Sequence, residues 1–302
     1  MAASDYEILD ERFRDCVNRT SHVQKLWTGA RWTEGPVYFP AGKYLLFSDI
    51  PNDRIMRYDE TDGSVSVFRT PCGYANGHTV DRQGRLVSCE HGGRRVSRTE
   101  IDGRITAVAD SYQGRQLNSP NDVVVKSDNS VWFTDPPFGI LSDYEGHKAT
   151  PENGFNVYRV DQSGAIACVA DDFIRPNGLA FSADEKKLYI VECAGGRIKG
   201  APSNIRVFDV GENGKLSNSK VFADCTAGRF DGMRFDSDGR LWAATDDGIH
   251  CLDKDGTLIG KIKIPEICSN VVFGGGKRNM LYICATNSLY GVMLHVTGLK
   301  TF

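Results

Sequence analysis

Along most of this chain the apolar residues come in short runs rich in Val, Ile, Phe, Tyr and Trp. Each run is cut off by a polar turn such as "RQGR", "SDNS", "ADEKK" or "SDGR". The runs have the length of strands, and the punctuation between them is turn chemistry. Sustained helical periodicity is almost absent after the first twenty residues. Residues 1–20 are therefore expected to form a short helical extension, and the remainder to be all-β.

Aligning the runs brings out a repeat. Six segments superpose: "EGPVYFPAGKYLLFSD" from Glu34, "NGHTVDRQGRLVSCEH" from Asn76, "NDVVVKSDNSVWFTDP" from Asn121, "NGLAFSADEKKLYIVEC" from Asn177, "DGMRFDSDGRLWAATDD" from Asp231 and "NVVFGGGKRNMLYICAT" from Asn270. Each opens on a polar residue, runs through mostly apolar positions, turns, and starts a second apolar strand. That second strand begins ten residues after the opening in four segments (Tyr44, Leu86, Val131, Leu241) and eleven after it in two (Leu188, Leu281). A third strand follows in most units, as in "RIMRYDETDG" and "FNVYRVDQSG".

The openings are 42, 45, 56, 54 and 39 residues apart. Units of that size predict a six-bladed β-propeller with four-stranded antiparallel blades, forming a single domain over residues 1–302. Two stacked β-sandwiches would also use short strands but predict no six-fold register. The segment "HVQKLWTGA" ahead of the first unit is a candidate outer strand for the last blade. The extra residues in "GILSDYEGHKATPENG" and "CAGGRIKGAPSN" read as longer surface loops.

Composition narrows the class without changing it. The chain has 302 residues, 40% hydrophobic and 25% charged, with a net charge of −3. That balance gives no basic footprint for nucleic acid and no polybasic membrane patch. No apolar run approaches a membrane span, and the charged N-terminus lacks the core of a secretory signal, so a cytoplasmic location is expected. The nine cysteines contain no CxxC pair, and the six histidines no HExxH spacing. Reduced thiols are expected, without a disulfide framework or a conventional zinc site.

In a propeller the first strand of each blade lies nearest the axis. Glu34, Asn76, Asn121, Asn177, Asp231 and Asn270 should then stand at equivalent heights around one end of the channel. Asn and Asp are poor strand residues, although any one of them could simply cap a strand entry. Together they place two carboxylates in one confined ring, which is costly without a compensating cation. An all-oxygen set of this charge suits one divalent cation, Ca²⁺ first, with Mg²⁺, Mn²⁺ or Zn²⁺ as alternatives. A second set of acids, Asp49, Glu90, Asp135 and Glu192, falls at the ends of the second strands. These either solvate strand ends or accept hydrogen bonds from a hydroxyl-rich substrate. His78 and His91 are candidate proton shuttles or ligand donors, or packed polar residues.

The motifs "WTEGPVYF", "NSPNDVVVKSDNSVWFTDPPFGI", "RPNGLAFSADEKKLYI" and "RFDGMRFDSDGRLW" resemble the SMP-30/gluconolactonase/luciferin-regenerating-enzyme family, with bacterial gluconolactonases the nearest pattern. The likeness runs from about Trp32 to Tyr290. It implies a six-bladed propeller with a divalent cation, often calcium, held at Glu34, Asn121, Asn177 and Asp231. It also implies hydrolysis of a sugar lactone, such as glucono-1,5-lactone, to the aldonic acid by metal-activated water, with Asp231 as the catalytic proton acceptor. Asn121, Asn76, Glu90, His91 and His78 are the expected substrate contacts. Some relatives carry Arg two residues before the "SPND" Asn, whereas here Ser119 stands there. The expected partner is a small sugar lactone, with no nucleic acid or membrane, in a monomer or homodimer. The competing readings are an organophosphate or other lactone hydrolase on the same site, and a non-catalytic binding scaffold. The loop at 140–154 either covers the channel mouth or is a passive surface loop.

Overall fold

A computed structural model describes residues 5–18, 20–195 and 197–300. Among the described residues, six antiparallel sheets of four or five strands follow one another in chain order, with a two-stranded hairpin between the second and third. The innermost strands are Thr33–Phe39, Ala75–Val80, Val123–Val125, Pro176–Phe181, Met233–Phe235 and Cys268–Gly274. The fold is the expected six-bladed propeller. Four second strands start where the repeat placed them, at Tyr44, Leu86, Val131 and Leu241. The other two start one residue earlier, at Lys187 and Met280.

Gln24–Thr28 pairs antiparallel with Ser288–Met293 and becomes the outer strand of the sixth blade. An early segment of the chain thereby closes the ring onto its last blade. The extension before it departs from the expected helix. Tyr6–Ile8 is a short strand that pairs with Leu258–Lys263 and widens the fifth blade to five strands. Only Glu11–Asp15 is helical, as a single 3₁₀ segment whose Phe13 is buried against Trp242 with ring centroids 6.0 Å apart. The exposed edge of the fifth blade offers unpaired backbone groups, and covering that edge outweighs the local charge pattern. Residues 1–4 and 19 of the expected extension lie outside the described residues.

Apolar faces meet between neighbouring blades. Trp132, Val157, Leu179, Leu188, Ile190 and Phe208 fill the space between the third and fourth. Each such side chain contributes about 1.5–3 kcal/mol by leaving water. The nine cysteines are free. No helix among the described residues is long and apolar enough to cross a membrane.

Near the axis, packing depends on glycines that follow the ring residues. Strand pairing slips between Glu34 and Val37, Ala75 and His78, and Pro176 and Leu179. These bulges turn the ring side chains away from the regular pleat. A Cβ on Gly35, Gly77 or Gly178 would overlap the carbonyl oxygen of the next blade's ring residue, Asn76, Asn121 or Asp231 respectively. On Gly232 it would overlap the Asn270 amide. Hydrogen bonds cross the same seam: Gly77 N donates to Asn121 O (2.8 Å) and Gly232 N to Ser269 O (2.7 Å).

Because backbone, and not a flexible side chain, blocks the space beside Gly77, Gly77→Ala should destabilise the fold by about 1–3 kcal/mol. Urea denaturation followed by tryptophan fluorescence measures this. An unchanged midpoint would mean that the blades can separate at the axis without cost.

Candidate functional site

The six ring residues converge as expected. Asn76 Nδ2 donates to Asn121 Oδ1 (2.7 Å), and Asn121 Nδ2 donates to Asn177 Oδ1 (2.7 Å). Asn177 Nδ2 in turn meets Cys193 Sγ at 3.5 Å. On the other side Asn270 Nδ2 donates to Glu34 Oε2 (3.1 Å), which also accepts from Gly35 N. The amide hydrogens are thus spent around the rim of the ring. Two oxygens, Asn76 Oδ1 and Asp231 Oδ1, are buried without a hydrogen-bond partner.

Electrostatics give the ring its tension. Burial, followed by the charge of Asp231, pushes the Glu34 carboxyl well above the ordinary range. Burial also pushes Asp231 up to about 7, against the pull of Arg229 and Arg197. Two carboxyls buried beside unpartnered oxygens form a negatively polarised pocket that a positive charge would stabilise. The donor set therefore fits a hard divalent cation. Among the described residues no group of three or more His, Cys, Asp and Glu side chains could hold a metal, so amide oxygens have to complete any such set.

His91 joins this network from outside. It is fully buried, its Nδ1 lies 3.2 Å from Glu145 O, and its Nε2 lies 3.1 Å from Asn76 Nδ2. The carbonyl requires the hydrogen on Nδ1, so Nε2 accepts from the Asn76 amide. Burial lowers its pKa to about 4 and keeps it neutral. His91 thereby fixes which way Asn76 points, and the Asn76 Oδ1 is left without a hydrogen bond.

The structure does not bring His78 or Glu90 to the ring mouth. His78 is buried between blades, with Nε2 and Nδ1 each 2.8 Å from a serine, Ser48 and Ser88. Burial pushes its pKa down to about 3. Glu90 is held by Arg95 (2.7 Å) beside a separate 380 Å³ pocket that includes Cys72 and His147. The other strand-end acids turn back onto their own blades. Asp49 accepts from Arg31 N, Asp135 from the amides of Asn118 and Ser119, and Glu192 from those of Ile174 and Arg175. In each case the donors lie two or three residues before the ring residue, so these carboxylates hold the loops that deliver it.

Several groups near the ring escape the repeat. Asp122 is buried beside Asn121 with its Oδ2 lacking a hydrogen bond, 3.8 Å from Arg234 Nη1. The loop at 140–154 begins in the one-turn helix Phe138–Leu141 and brings Glu145 over His91. A Cβ on Gly139 would overlap His91, so this turn lies flat against the site. The far end of the channel opens into a cavity of about 1250 Å³ lined by residues of all six inner strands, including His78, Val125 and Arg234.

Proteins of known type share this architecture and sequence. A gluconolactonase of Zymomonas mobilis is 32% identical over 91% of this chain and 82% of its own length. A pentonolactonase of Haloferax volcanii is 30% identical over 85% of this chain and 82% of its own. The solved structure of a gluconolactonase from Xanthomonas campestris superposes with a TM-score of 0.89 at 34% identity, covering 97% of this chain and 96% of that one. The sequence model of the SMP-30/Gluconolactonase/LRE-like region matches residues 32–287, and the chain belongs to that family.

Proposed function

We propose that this protein is a metal-dependent hydrolase that opens a sugar lactone of the glucono-1,5-lactone type to its aldonic acid. The observation that carries this reading is the pair of buried carboxylates, Glu34 and Asp231, set in an oxygen-lined ring with unpartnered oxygens at Asp231 and Asn76. Relatives named as lactonases over most of the chain support it.

Glu34, Asn177 and Asp231 would hold the cation, with Asn121 beside them, and calcium suits the hard oxygen donors best. When bound, the ion supplies concentrated positive charge that favours the oxyanion form of the lactone carbonyl. The remaining work falls to the chain itself. Asp231 Oδ1 accepts a proton from water as that water's oxygen bonds to the lactone carbon. When the tetrahedral adduct collapses, the carbon–ring-oxygen bond breaks and the proton passes to the departing ring oxygen. Asn121 and Asn76 orient the sugar and the water, and His91 holds Asn76 in place. The Phe138–Leu141 turn and the Glu145 loop shield the site from bulk water.

Asp231→Asn keeps the shape of the site and removes the proton acceptor. Activity on glucono-1,5-lactone, followed by acid release in an indicator assay with calcium present, should fall by at least about 10²–10³-fold. Near-normal activity in this variant would remove Asp231 from the mechanism.

Cation binding and pH should also be linked. Asp231 has a native pKa of about 7 against an ordinary value of 3.8, and Glu34 is shifted in the same direction. In metal-free protein the stability contributed by their protonated forms is fully present below the ordinary pKa. It is lost as pH rises through about 7. A cation relieves the ionised pair, so the rise in melting temperature on replacing EDTA with calcium should be larger at about pH 8 than at about pH 5. Equal rises at both pH values would disconnect the carboxylates from the ion.

A further inference from the structure

The residue two positions before each ring residue belongs to the segment that leads into the inner strand. Around the six blades these are Trp32, Tyr74, Ser119, Arg175, Arg229 and Cys268. Only the fourth and fifth blades place a charge there, and both charges are positive. A third arginine, Arg197, joins them from the loop that follows the second strand of the fourth blade. The guanidinium carbons of Arg175 and Arg197 lie 5.8 Å and 5.6 Å from the Phe138 ring centroid, so the two groups share one aromatic side chain. Arg197 and Arg229 are both close enough to Glu145 and Asp231 to stabilise their charged forms.

Pairing among the three is incomplete. Arg229 Nη1 lies 3.3 Å from Asp246 Oδ1. Among the described residues, the guanidinium groups of Arg175 and Arg197 have no ion pair and no hydrogen bond. Asp231 itself stands within the carboxylate set assigned to the cation, which leaves it little charge to offer them. A neutral sugar needs hydroxyl partners and does not need three clustered guanidinium groups, whose planar forks match the oxygens of phosphate, sulfonate or carboxylate. Phe138 between two of them adds an apolar face for the carbons that carry such a group.

We propose that Arg175, Arg197 and Arg229 form an anion-recognition arc at the channel mouth, and that the substrate is a sugar lactone bearing an anionic group away from its carbonyl. This rests on the lactonase reading above and specifies its substrate class.

The test compares kcat/KM for 6-phosphoglucono-1,5-lactone, for a glucaric acid monolactone and for glucono-1,5-lactone, using full-length protein with calcium present. The anionic lactones should be preferred by about tenfold or more, through a lower KM that rises with salt. Which anionic lactone is better separates phosphate from carboxylate as the group recognised. Arg197→Ala, at an exposed loop position where misfolding is not at issue, should reduce the anionic-to-neutral ratio about tenfold, and Arg197→Lys should restore part of it. Equal rates on all three lactones, unchanged by Arg197→Ala, would overturn the arc and leave the lactonase intact. So would gluconate inhibition that depends on Arg197 without any preference among lactones, since the arc would then bind only product. Failure to open any of the three would bring down the lactonase reading and the arc together.

Discussion

Everything at the centre of this propeller depends on how closely six inner strands can approach one axis. Four of the six ring residues are followed by glycine, and the space a side chain would need is taken by the next blade. Hydroxyls complete the seam: Ser48 Oγ donates to Asn76 O, Thr134 Oγ1 to Asn177 O and Ser269 Oγ to Thr33 O, at 2.8, 2.9 and 2.6 Å. Such contact keeps the ring acids out of bulk water. The packing that holds the blades together therefore also raises the Glu34 and Asp231 pKa values. Fold stability and site chemistry are coupled through the same few ångströms.

A second, repeated device supports that contact. In the first, third and fourth blades a carboxylate at the end of the second strand accepts backbone N–H groups from the loop that leads into the ring residue. Charge-assisted bonds of this kind are stronger than neutral ones, and they fix the loop at the point where an error of one ångström would misplace a ligand. The second blade does this differently. Its loop is held from the first blade, where Asp53, in the turn between that blade's second and third strands, accepts from the amides of Cys72 and Tyr74. Glu90 is left to pair with Arg95.

That device also explains what could be read from the sequence and what could not. The ring was legible because period and polarity coincide six times, which local capping of a single strand entry does not require. The closing strand was legible as an unpartnered alternating run before the first unit. The strand-end acids were visible but ambiguous. A carboxylate at the end of a strand has the same sequence signature whether it meets a substrate or its own loop, and only the backbone path separates the two. His78 belongs with them, since nothing near it in sequence announces Ser48 from the neighbouring blade. The Tyr6–Ile8 strand was hidden by its charged surroundings, and its partner lies some 250 residues away in the chain. Glu145 and Arg197 sit in loops whose lengths break the repeat, so register could not place them.

The charge count at the ring follows from these contacts. Three carboxylates, Glu34, Asp122 and Asp231, are buried near the axis, yet they are not equivalent. Asp122 faces Arg234 at 3.8 Å toward the far cavity, which offsets its charge from within the protein. Among the described residues Glu34 and Asp231 have no cationic side chain within ion-pair distance, and the other four ring positions are neutral amides, of which Asn76 keeps its Oδ1 without a hydrogen bond. A net demand of two positive charges in an oxygen-only cage matches a hard divalent ion. A monovalent ion would leave one buried charge unmet, and protonation of both acids would leave the ring amides with free lone pairs. Amides at four positions and acids at two thus set the charge that a bound ion would have to bring.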